Sequence, residues 1–165
     1  MTVGIVSDTH GYFHPALAEV FADVDLILHA GDLGSLDVLD ALEAVAPTKA
    51  VWGNLDRWDL RRHVPEHRRL DVGGLDVWMK HIAGRPGRWQ DDMGWRLAQD
   101  TPDLFICGHS HILRVERVED LGGMLFINPG AAGRQGLHQE KTCLRLRIEE
   151  GTAKEVDVVH LDRDE

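Results

Sequence analysis

The stretch DLFICGHSH, residues 103–111, joins a short apolar run to two histidines that stand one residue apart. The apolar run has the length and composition of a buried β-strand, and His109 and His111 follow where that strand is predicted to end. Two imidazoles at this spacing are either an accident of a chain with 10 histidines in 165 residues or a pair of metal ligands. The other strand ends of the chain distinguish between these alternatives.

The composition predicts one globular domain over residues 1–165, because 43% of the residues are apolar and no repeat or linker interrupts the chain. With 28 acidic and 18 basic residues, the formal charge of −10 has the wrong sign for binding a nucleic-acid polymer. No apolar run approaches the roughly 18 residues of a membrane-spanning helix, and the N-terminus lacks a basic signal-like segment. We therefore expect a cytoplasmic protein with no membrane contact.

The distribution of apolar residues changes along the chain. Apolar β-runs at residues 2–7, 25–30, 48–53, 75–80 and 103–108 are interspersed with helical patterns at 15–23, 35–45 and 89–100. After residue 111, four runs alternate apolar and polar residues between glycine-containing turns, which predicts antiparallel strands. The basic stretch RRHVPEHRR, residues 61–69, is predicted to be an irregular solvated face. The pattern as a whole predicts an α/β fold with two packed sheets and helices on the outside.

Metal-capable side chains follow five of the predicted strands, at the point where each strand ends. They are Asp8 and His10, Asp32, Asn54, His81, and finally His109 and His111. In open α/β sheets, ligands bind outside the carboxyl ends of the strands, so loops that are distant in sequence meet at one place. We therefore expect these side chains to form one cluster.

The motifs differ in how specific they are. Asp-x-His and Gly-Asp are weak signals alone, whereas Gly-His-x-His is expected by chance about 0.06 times in a chain of this composition. Carboxylate, amide and imidazole ligands suit borderline divalent ions better than calcium, magnesium or thiolate-bound structural zinc. Two close ions need a shared anionic ligand, for which we choose Asp32, and open coordination positions are typical of catalysis.

The ordered set D-x-H, GD, GN-x-D, H and GH-x-H, between Thr2 and about Gly130, resembles the calcineurin-like metallophosphoesterase superfamily. The short chain and its GHSH…INPG ending are most similar to the small bacterial and archaeal phosphodiesterases, the branch that also includes the retromer scaffold subunit of eukaryotes. The resemblance implies a four-layer α/β/β/α sandwich with two mixed sheets. It also implies one metal on Asp8, His10, Asp32 and His111 and a second on Asp32, Asn54, His81 and His109, with Asp32 bridging.

Two positions depart from the family pattern. Members that cleave nucleic acids or phosphoproteins often place a histidine after the Asn of the GN motif as a general acid, whereas this chain has Leu55. The family often has His-Gly-His at the loop that here reads His81-Ile82-Ala83. The resemblance therefore implies catalysis through the metals held by residues such as Asp32, Asn54 and His109, with no separate general acid identified.

Other residues have two interpretations each. Arg85 and Arg88, on a Gly- and Pro-rich loop, would either clamp a substrate phosphate or belong to a surface loop. Asp56 and His29 would either orient the metal ligands or serve a turn and the core. Residues 128–136, NPGAAGRQG, are predicted to form a turn under the metal site. Histidines outside the motifs, such as His138, are expected to be exposed or hydrogen-bonded structural residues.

The leading hypothesis is a metal-dependent phosphodiesterase, a phosphoric ester hydrolase acting on small phosphodiesters through direct attack of a metal-bridging hydroxide. Mn²⁺ is the favoured cofactor, with iron, nickel, cobalt and zinc as alternatives. The alternative is a scaffold or regulatory binding module with little or no catalysis, which would predict eroded ligands. A nuclease subunit is disfavoured by the −10 charge and by Leu55. We expect self-association into a homo-oligomer through exposed apolar strand faces.

Overall fold

Two five-stranded β-sheets form the framework of the computed structural model, which describes residues 1–138 and 140–161. The first sheet has the order β12 (Thr152–Leu161), β11 (Lys141–Glu149), β1 (Thr2–Val6), β2 (Leu26–His29) and β3 (Thr48–Ala50). The second has the order β4 (His67–Val72), β5 (Leu75–Lys80), β8 (Leu104–Ile106), β10 (Met124–Asn128) and β9 (Arg114–Val118). A short hairpin joins β6 (Gly84–Arg85) to β7 (Arg88–Trp89).

Both sheets are mixed. In the first, β1, β2 and β3 are parallel, and β11 and β12 continue it antiparallel. In the second, β5, β8 and β10 are parallel, with β4 and β9 as antiparallel edges. The six parallel strands of the two sheets bring their carboxyl ends together, and these ends carry most of the residues singled out by the sequence.

Successive side chains of each strand point to opposite faces of its sheet, and this determines which layer each residue packs into. Val3 and Ile5 of β1 point into the core between the sheets, where they meet Val77 and Met79 of β5. Val6 points to the opposite side, into a second apolar cluster. A third cluster lies on the outer face of the second sheet. Because apolar burial is the main favourable term in folding, these three clusters hold the layers together.

Four α-helices of the described residues cover the outer faces. They are α1 (Ala16–Val20), α2 (Leu36–Val45), α3 (Trp58–Arg61) and α4 (Met93–Gln99). The first three contribute buried side chains to the cluster on the first sheet, and α4 contributes Met93 and Leu97 to the cluster on the second. The α/β fold with a four-layer α/β/β/α sandwich is therefore confirmed. None of the helices in the described part of the chain has the length and apolarity needed to cross a membrane.

Some predicted boundaries were wrong. Residues 61–69 are not wholly irregular, because β4 begins at His67 and pairs with β5. The sequence did not show the apolar–polar alternation of this strand, because its half-buried side carries the charged Arg68. Arg68 donates from Nε to the Ala50 carbonyl oxygen at 3.2 Å. The predicted helix at 89–100 begins only at Met93, since Trp89 belongs to β7. Residues 124–128 run antiparallel to β9 but parallel to β8.

Candidate metal centre

The structure brings the predicted metal ligands to one edge of the sandwich, where the carboxyl ends of its parallel strands meet. Asp8 and His10 follow β1, Asp32 follows β2, Asn54 follows β3, His81 follows β5, and His109 and His111 follow β8. Three strand ends belong to the first sheet and two to the second. The site is therefore built across the two sheets.

One group of donors consists of Asp8, His10 and His111. His111 Nε2 lies 3.2 Å from Asp8 Oδ1, and His10 Nε2 lies 3.6 Å from the same oxygen. The two imidazole nitrogens are 3.3 Å apart. These spacings are compatible with donors that surround one cation, and the three residues form a group with metal-binding geometry.

The second group is centred on Asp32 and His81. His81 Nε2 lies 3.2 Å from Asp32 Oδ2, and these residues together with Asp8 also have metal-binding geometry. Beside them, His109 Nδ1 lies 3.1 Å from Asn54 Oδ1. This second pair supplies one nitrogen and one oxygen on the more exposed side of the site.

Asp32 stands between the two groups. Its Oδ2 lies 3.2 Å from His81 Nε2 and 3.8 Å from His10 Nε2. Its other oxygen, Oδ1, accepts a hydrogen bond of 2.9 Å from the backbone N–H of Leu55, which fixes the orientation of the carboxylate. One carboxylate thus faces donors from both groups.

Two buried polar atoms of the site make no hydrogen bond with any described residue. They are Asp8 Oδ1 and His81 Nε2, and both residues are almost completely buried. Each approaches its neighbours closely but without hydrogen-bond geometry. Burying such an atom without a partner costs about 1–3 kcal/mol, and a cation would satisfy both atoms at once. The donor set and these two atoms fit a divalent metal.

The charges of the site favour a cation as well. Burial raises the pKa of Asp8, but the neighbouring His10, His111 and His81 lower it by more, so the carboxyl is ionised across the physiological range. Burial likewise opposes ionisation of Asp32, yet its contacts with His81 hold its pKa below the ordinary value. Two carboxylates therefore carry negative charge in a buried place.

The backbone is strained at most of the ligands. Positive φ angles occur at Asp8 (55°), His10 (48°), Asp32 (56°), His109 (72°) and His111 (62°). Left-handed conformations are uncommon outside glycine and persist only where the surroundings enforce them. Here that strain coincides with the predicted ligands, since only Asp91 and Glu150 share it among the other described non-glycine residues.

The glycines of the motifs have steric reasons to precede ligands. A Cβ atom on Gly31 would lie 2.5 Å from His81 Nδ1, and one on Gly53 would overlap the Asp32 carboxylate. A Cβ atom on Gly108 would lie 2.6 Å from Asp8 Oδ2. In each case the glycine of one motif makes room for a ligand from another motif. The GD, GN and GH pairs are therefore parts of one packing arrangement.

Two of the imidazoles are oriented so that one nitrogen can bind a metal. His81 Nδ1 donates to the Ala30 carbonyl oxygen at 2.7 Å, so Nε2 is the nitrogen that faces the carboxylates. Burial lowers the pKa of His81, but the neighbouring Asp32 and Asp8 raise it by more, so a cation would displace the Nε2 proton. His138 Nε2 donates to the Gly133 carbonyl oxygen at 2.7 Å, so His138 Nδ1 accepts from His111 Nδ1 at 3.1 Å. His111 Nε2 is then free for a cation.

The role of His138 was missed at the sequence level. It is hydrogen-bonded, as expected of the histidines outside the motifs, but its partner is the predicted ligand His111. The residue stands 27 positions after that ligand, within no recognisable motif. The one sequence signal for the contact between His138 and His111 is that His138 lies close to the glycine-rich turn at residues 128–136.

Asp56 and His29 hold the loops that carry the ligands without touching a ligand side chain. Asp56 accepts backbone hydrogen bonds from Gly53 at 2.9 Å, Gly34 at 2.9 Å and Leu33 at 3.2 Å, which joins the Asp32 and Asn54 loops. The completely buried His29 accepts from the Gly31 N–H at 3.1 Å through Nδ1, so Nε2 donates to Thr9 Oγ1 at 3.0 Å. Both residues therefore position the loops of the candidate ligands through hydrogen bonds to neighbouring residues and not to the ligand side chains.

The turn at residues 128–136 supports the site from below. Asn128, at the end of β10, donates from Nδ2 to the Gly108 carbonyl oxygen and to Ser110 Oγ, both at 3.0 Å. Gly133 donates its N–H to the Asp8 carbonyl oxygen at 3.0 Å. These contacts join the turn to the loops that carry Asp8 and His109, and they place a sixth strand end beside the candidate site.

Two cavities flank the ligand loops. Arg85 and Arg88 line one of about 490 Å³, which also includes Ser110 from the GHSH motif. Leu55 and Arg57 line the other, of about 480 Å³, together with His10. Arg85 and Arg88 therefore lie beside the candidate metal centre, in a hairpin instead of the loop that the sequence suggested.

A four-layer sandwich with carboxylates and imidazoles at the joined carboxyl ends of its two sheets defines the class of metallophosphoesterase-like proteins. The calcineurin-like phosphoesterase superfamily domain matches residues 1–151, and the chain belongs to that superfamily. A protein of Methanothermobacter thermautotrophicus named "Probable metallophosphoesterase" is 34% identical over 136 residues, covering 79% of this chain and 77% of its own length. A protein of the same description from Methanocaldococcus jannaschii is 31% identical over 139 residues, covering 79% and 68%.

Solved structures confirm the fold. Vps29 of Entamoeba histolytica in complex with zinc has a TM-score of 0.73 at 21% identity, with 98% of this chain and 100% of that chain covered. A predicted phosphoesterase of Streptococcus pneumoniae has a TM-score of 0.71 at 22% identity, with 99% and 91% covered. At these identities the likeness extends to the architecture alone.

Proposed function

We propose that this chain is a phosphodiesterase that binds two divalent metal ions, preferably manganese, and hydrolyses small phosphodiesters. The observation that supports it most is a pair of buried atoms, Asp8 Oδ1 and His81 Nε2, which form no hydrogen bond within the described residues and lie in a cluster of ionised carboxylates and imidazoles. A protein that did not bind cations would bear the desolvation cost of these atoms without compensation. The family of the chain supports the same chemistry.

Each ion would have its own donor set. The first would be held by Asp8, His10 and His111, and the second by Asn54, His81 and His109, with Asp32 shared between them. When bound, the ions supply Lewis acidity, which lowers the pKa of a water and neutralises charge that develops on the phosphoryl oxygens. The chain fixes the positions of these donors through the hydrogen bonds from His81 to Ala30 and from His111 to His138.

Residues that could form a covalent intermediate are unsuited to it. Ser7 is fully buried and donates to Asp8 Oδ2 at 2.6 Å. Cys107 is fully buried, and burial raises the pKa of its thiol far above the ordinary value, so no thiolate forms. Direct attack by water on phosphorus is therefore the proposed route.

The leaving group receives no proton from the position that nucleic-acid-cleaving relatives use. Leu55 occupies it, with half of its surface exposed, and it contributes only its backbone N–H to Asp32. Substrates with good leaving groups should consequently react fastest, because they need little protonation in the transition state. The cavities beside the site have room for small ester arms, and the −10 charge of the chain disfavours a long polyanion.

A binding module on the same fold is the second candidate function. The structural neighbours include Vps29 of Chaetomium thermophilum in complex with a cyclic peptide, at a TM-score of 0.64 and 16% identity. A module without catalysis would not need a complete ligand set, whereas all seven predicted ligand positions of this chain carry competent residue types. Localisation in the cytoplasm and self-association stay predictions.

The deciding experiment measures hydrolysis of bis(4-nitrophenyl) phosphate and of 4-nitrophenyl phosphate by chelator-treated protein, before and after addition of Mn²⁺. We expect diester hydrolysis only with metal. Replacement Asp32→Ala removes the shared carboxylate, so activity should fall by about 10³-fold or more, because several kcal/mol of transition-state stabilisation depend on the metals.

The matched control is Asp76→Ala, which removes a carboxylate from the opposite edge of the second sheet. It should leave hydrolysis unchanged, and metal content measured by mass spectrometry should fall only in the Asp32 variant. Stoichiometric metal binding without turnover of either ester would overturn the enzymatic proposal in favour of the binding module.

A further inference from the structure

The cavity of about 490 Å³ beside the GHSH loop has an unusual concentration of positive charge. Arg85 and Arg88 face each other across the β6–β7 hairpin, and Arg114 comes from the neighbouring strand β9. All three line the same cavity, whereas the chain as a whole carries a formal charge of −10. Its remaining walls include the apolar side chains of Ile112 and Phe126.

Most of this positive charge has no counter-ion in the protein. Within residues 1–138 and 140–161, Arg114 pairs with Glu116 at 2.6 Å, while the side chains of Arg85 and Arg88 form no ion pair or hydrogen bond. Arg85 and Arg88 are exposed, so water screens their charges, but together with Arg114 they create a local positive potential that attracts anions. Guanidinium groups bind phosphate and carboxylate in a bidentate manner.

Ser110 connects this cavity to the candidate metal centre. The residue stands between His109 and His111, and it lines the cavity. Its hydroxyl oxygen accepts hydrogen bonds from Asn128 Nδ2 at 3.0 Å and from the Ile112 N–H at 3.2 Å. Both acceptor positions are then used, so the hydroxyl hydrogen is left to donate into the cavity.

We infer that this cavity, lined by Arg85, Arg88 and Arg114, selects phosphodiesters in which one ester arm has an apolar body and ends in a second anionic group. The inference rests on the proposed function, since it assigns one arm of the same substrate. The apolar body packs on the side chain of Ile112, which is 66% exposed, and the terminal anion binds the guanidinium groups. The other arm extends toward the Leu55 side, where the second cavity lies.

The test compares two chromogenic diesters that differ only in a distant charge. One is the 4-nitrophenyl ester of thymidine 5′-phosphate, and the other is the same compound with an added 3′-phosphate. With Mn²⁺ present, kcat/KM should be about 10-fold or more higher for the 3′-phosphorylated compound, as expected from charge-assisted hydrogen bonds to a dianion.

In the double variant Arg85→Gln, Arg88→Gln this preference should disappear, so that kcat/KM becomes equal for the two compounds. Arg117→Gln is the matched control, because Arg117 lies on the same strand as Arg114 but lines a different cavity at the opposite edge. It should keep the full preference. Equal kcat/KM values for the two compounds in the wild-type protein would overturn the inference and leave the proposed function intact.

A binding measurement separates the inference from the proposed function. Calorimetric titration of chelator-treated protein with thymidine 3′,5′-bisphosphate reports the arginine cavity without any turnover. We expect binding that weakens by about 10-fold or more in the double variant. If neither diester is hydrolysed, the proposed function fails, and the titration alone decides whether the anion site exists. Unchanged binding of thymidine 3′,5′-bisphosphate by the double variant would exclude the anion site.

Discussion

The two edges of the sandwich solve the same structural problem in different ways. Both edges need tight turns with left-handed backbone. At the edge opposite the candidate metal centre, these turns use glycine pairs such as Gly73-Gly74 and Gly122-Gly123. At the metal edge, Asp8, Asp32 and His109 adopt the same conformation in spite of their side chains. Apart from Glu150, with a φ of 49° in the turn between β11 and β12, such strain is avoided at the opposite edge among the described residues, whereas it is retained at the metal edge.

The acidic residues of the two edges differ in whether their carboxylate oxygens are hydrogen-bonded. At the opposite edge, Asp71 accepts from the Gly74 N–H at 3.0 Å, and Asp76 forms a bidentate pair with Arg69. At the metal edge, Asp8 keeps a buried oxygen without a hydrogen bond among the described residues. Carboxylates alone therefore do not mark a site. The combination of strain, burial and an unsatisfied atom does, because each is costly unless a ligand offsets it.

The largest difference between the edges should appear on replacement of a glycine by alanine. In Gly108→Ala the new methyl group would lie 2.6 Å from Asp8 Oδ2 and would overlap Ser7 Oγ. Displacement of a metal ligand by about 1 Å costs on the order of 10²-fold in rate. We expect at least that loss of metal-dependent diester hydrolysis, measured with bis(4-nitrophenyl) phosphate.

Gly122→Ala is the control for that change. Gly122 has a φ of 67° and no atom within 4 Å of the new methyl group, so only backbone strain of about 1 kcal/mol is expected. The melting temperature should fall by roughly 2–4 °C, with activity retained. Equal activity losses in the two variants would show that the glycine of the GH motif serves only the backbone.

The clustering of the candidate ligands could be predicted from the sequence because these residues follow strands. A buried apolar run fixes where a strand ends, and parallel strands bring their carboxyl ends together whatever their separation in sequence. His81 and His109 were thus placed in one cluster without any knowledge of their contacts. The spacing of the motifs also located the glycines, although not their steric role.

What could not be predicted depends on contacts between side chains of different loops. His138 reaches His111 across a turn, and Asp56 binds the backbone of Leu33 and Gly34 on another loop. Neither partnership leaves a pattern in the sequence. The cavity of arginines is of the same kind, since Arg114 joins it from a strand whose pattern indicated only alternation.

A smaller effect should follow from His29, which lies beneath the metal edge. Burial lowers the pKa of His29 to about 3, so the imidazole is neutral in the folded protein. The unfolded chain binds a proton there below about pH 6.5. The stabilisation by His29 is therefore complete above that pH and is lost as the pH falls toward 3.

Chelator-treated wild-type protein and His29→Gln should be compared by urea unfolding from pH 8 to pH 4. At pH 8 the variant should lose about 1–3 kcal/mol, because Thr9 or Gly31 loses a buried partner. Below pH 6.5 the free energies of unfolding of the two proteins should converge. Parallel pH profiles would show that His29 is not a neutral buried group.

The smallest effect is expected at Asp76 on the opposite edge. Its pair with Arg69 has an Arg69 Nη2 to Asp76 Oδ2 distance of 2.6 Å, but the side chains are 31% and 45% exposed. The Arg69 guanidinium lowers the pKa of Asp76, so the pair stabilises the fold above the ordinary value of 3.8 and loses this contribution as the pH falls below it. Asp76→Asn should lower the free energy of unfolding by less than about 1 kcal/mol at pH 7, since solvent screens exposed pairs, and by nothing measurable near pH 2.

Metal content and diester hydrolysis of Asp76→Asn should stay at the wild-type level, because no atom of this pair is among the candidate ligands. A loss of metal binding in Asp76→Asn would break the distinction between the two edges, since a paired surface carboxylate would then act on the site from the far end of the same strand.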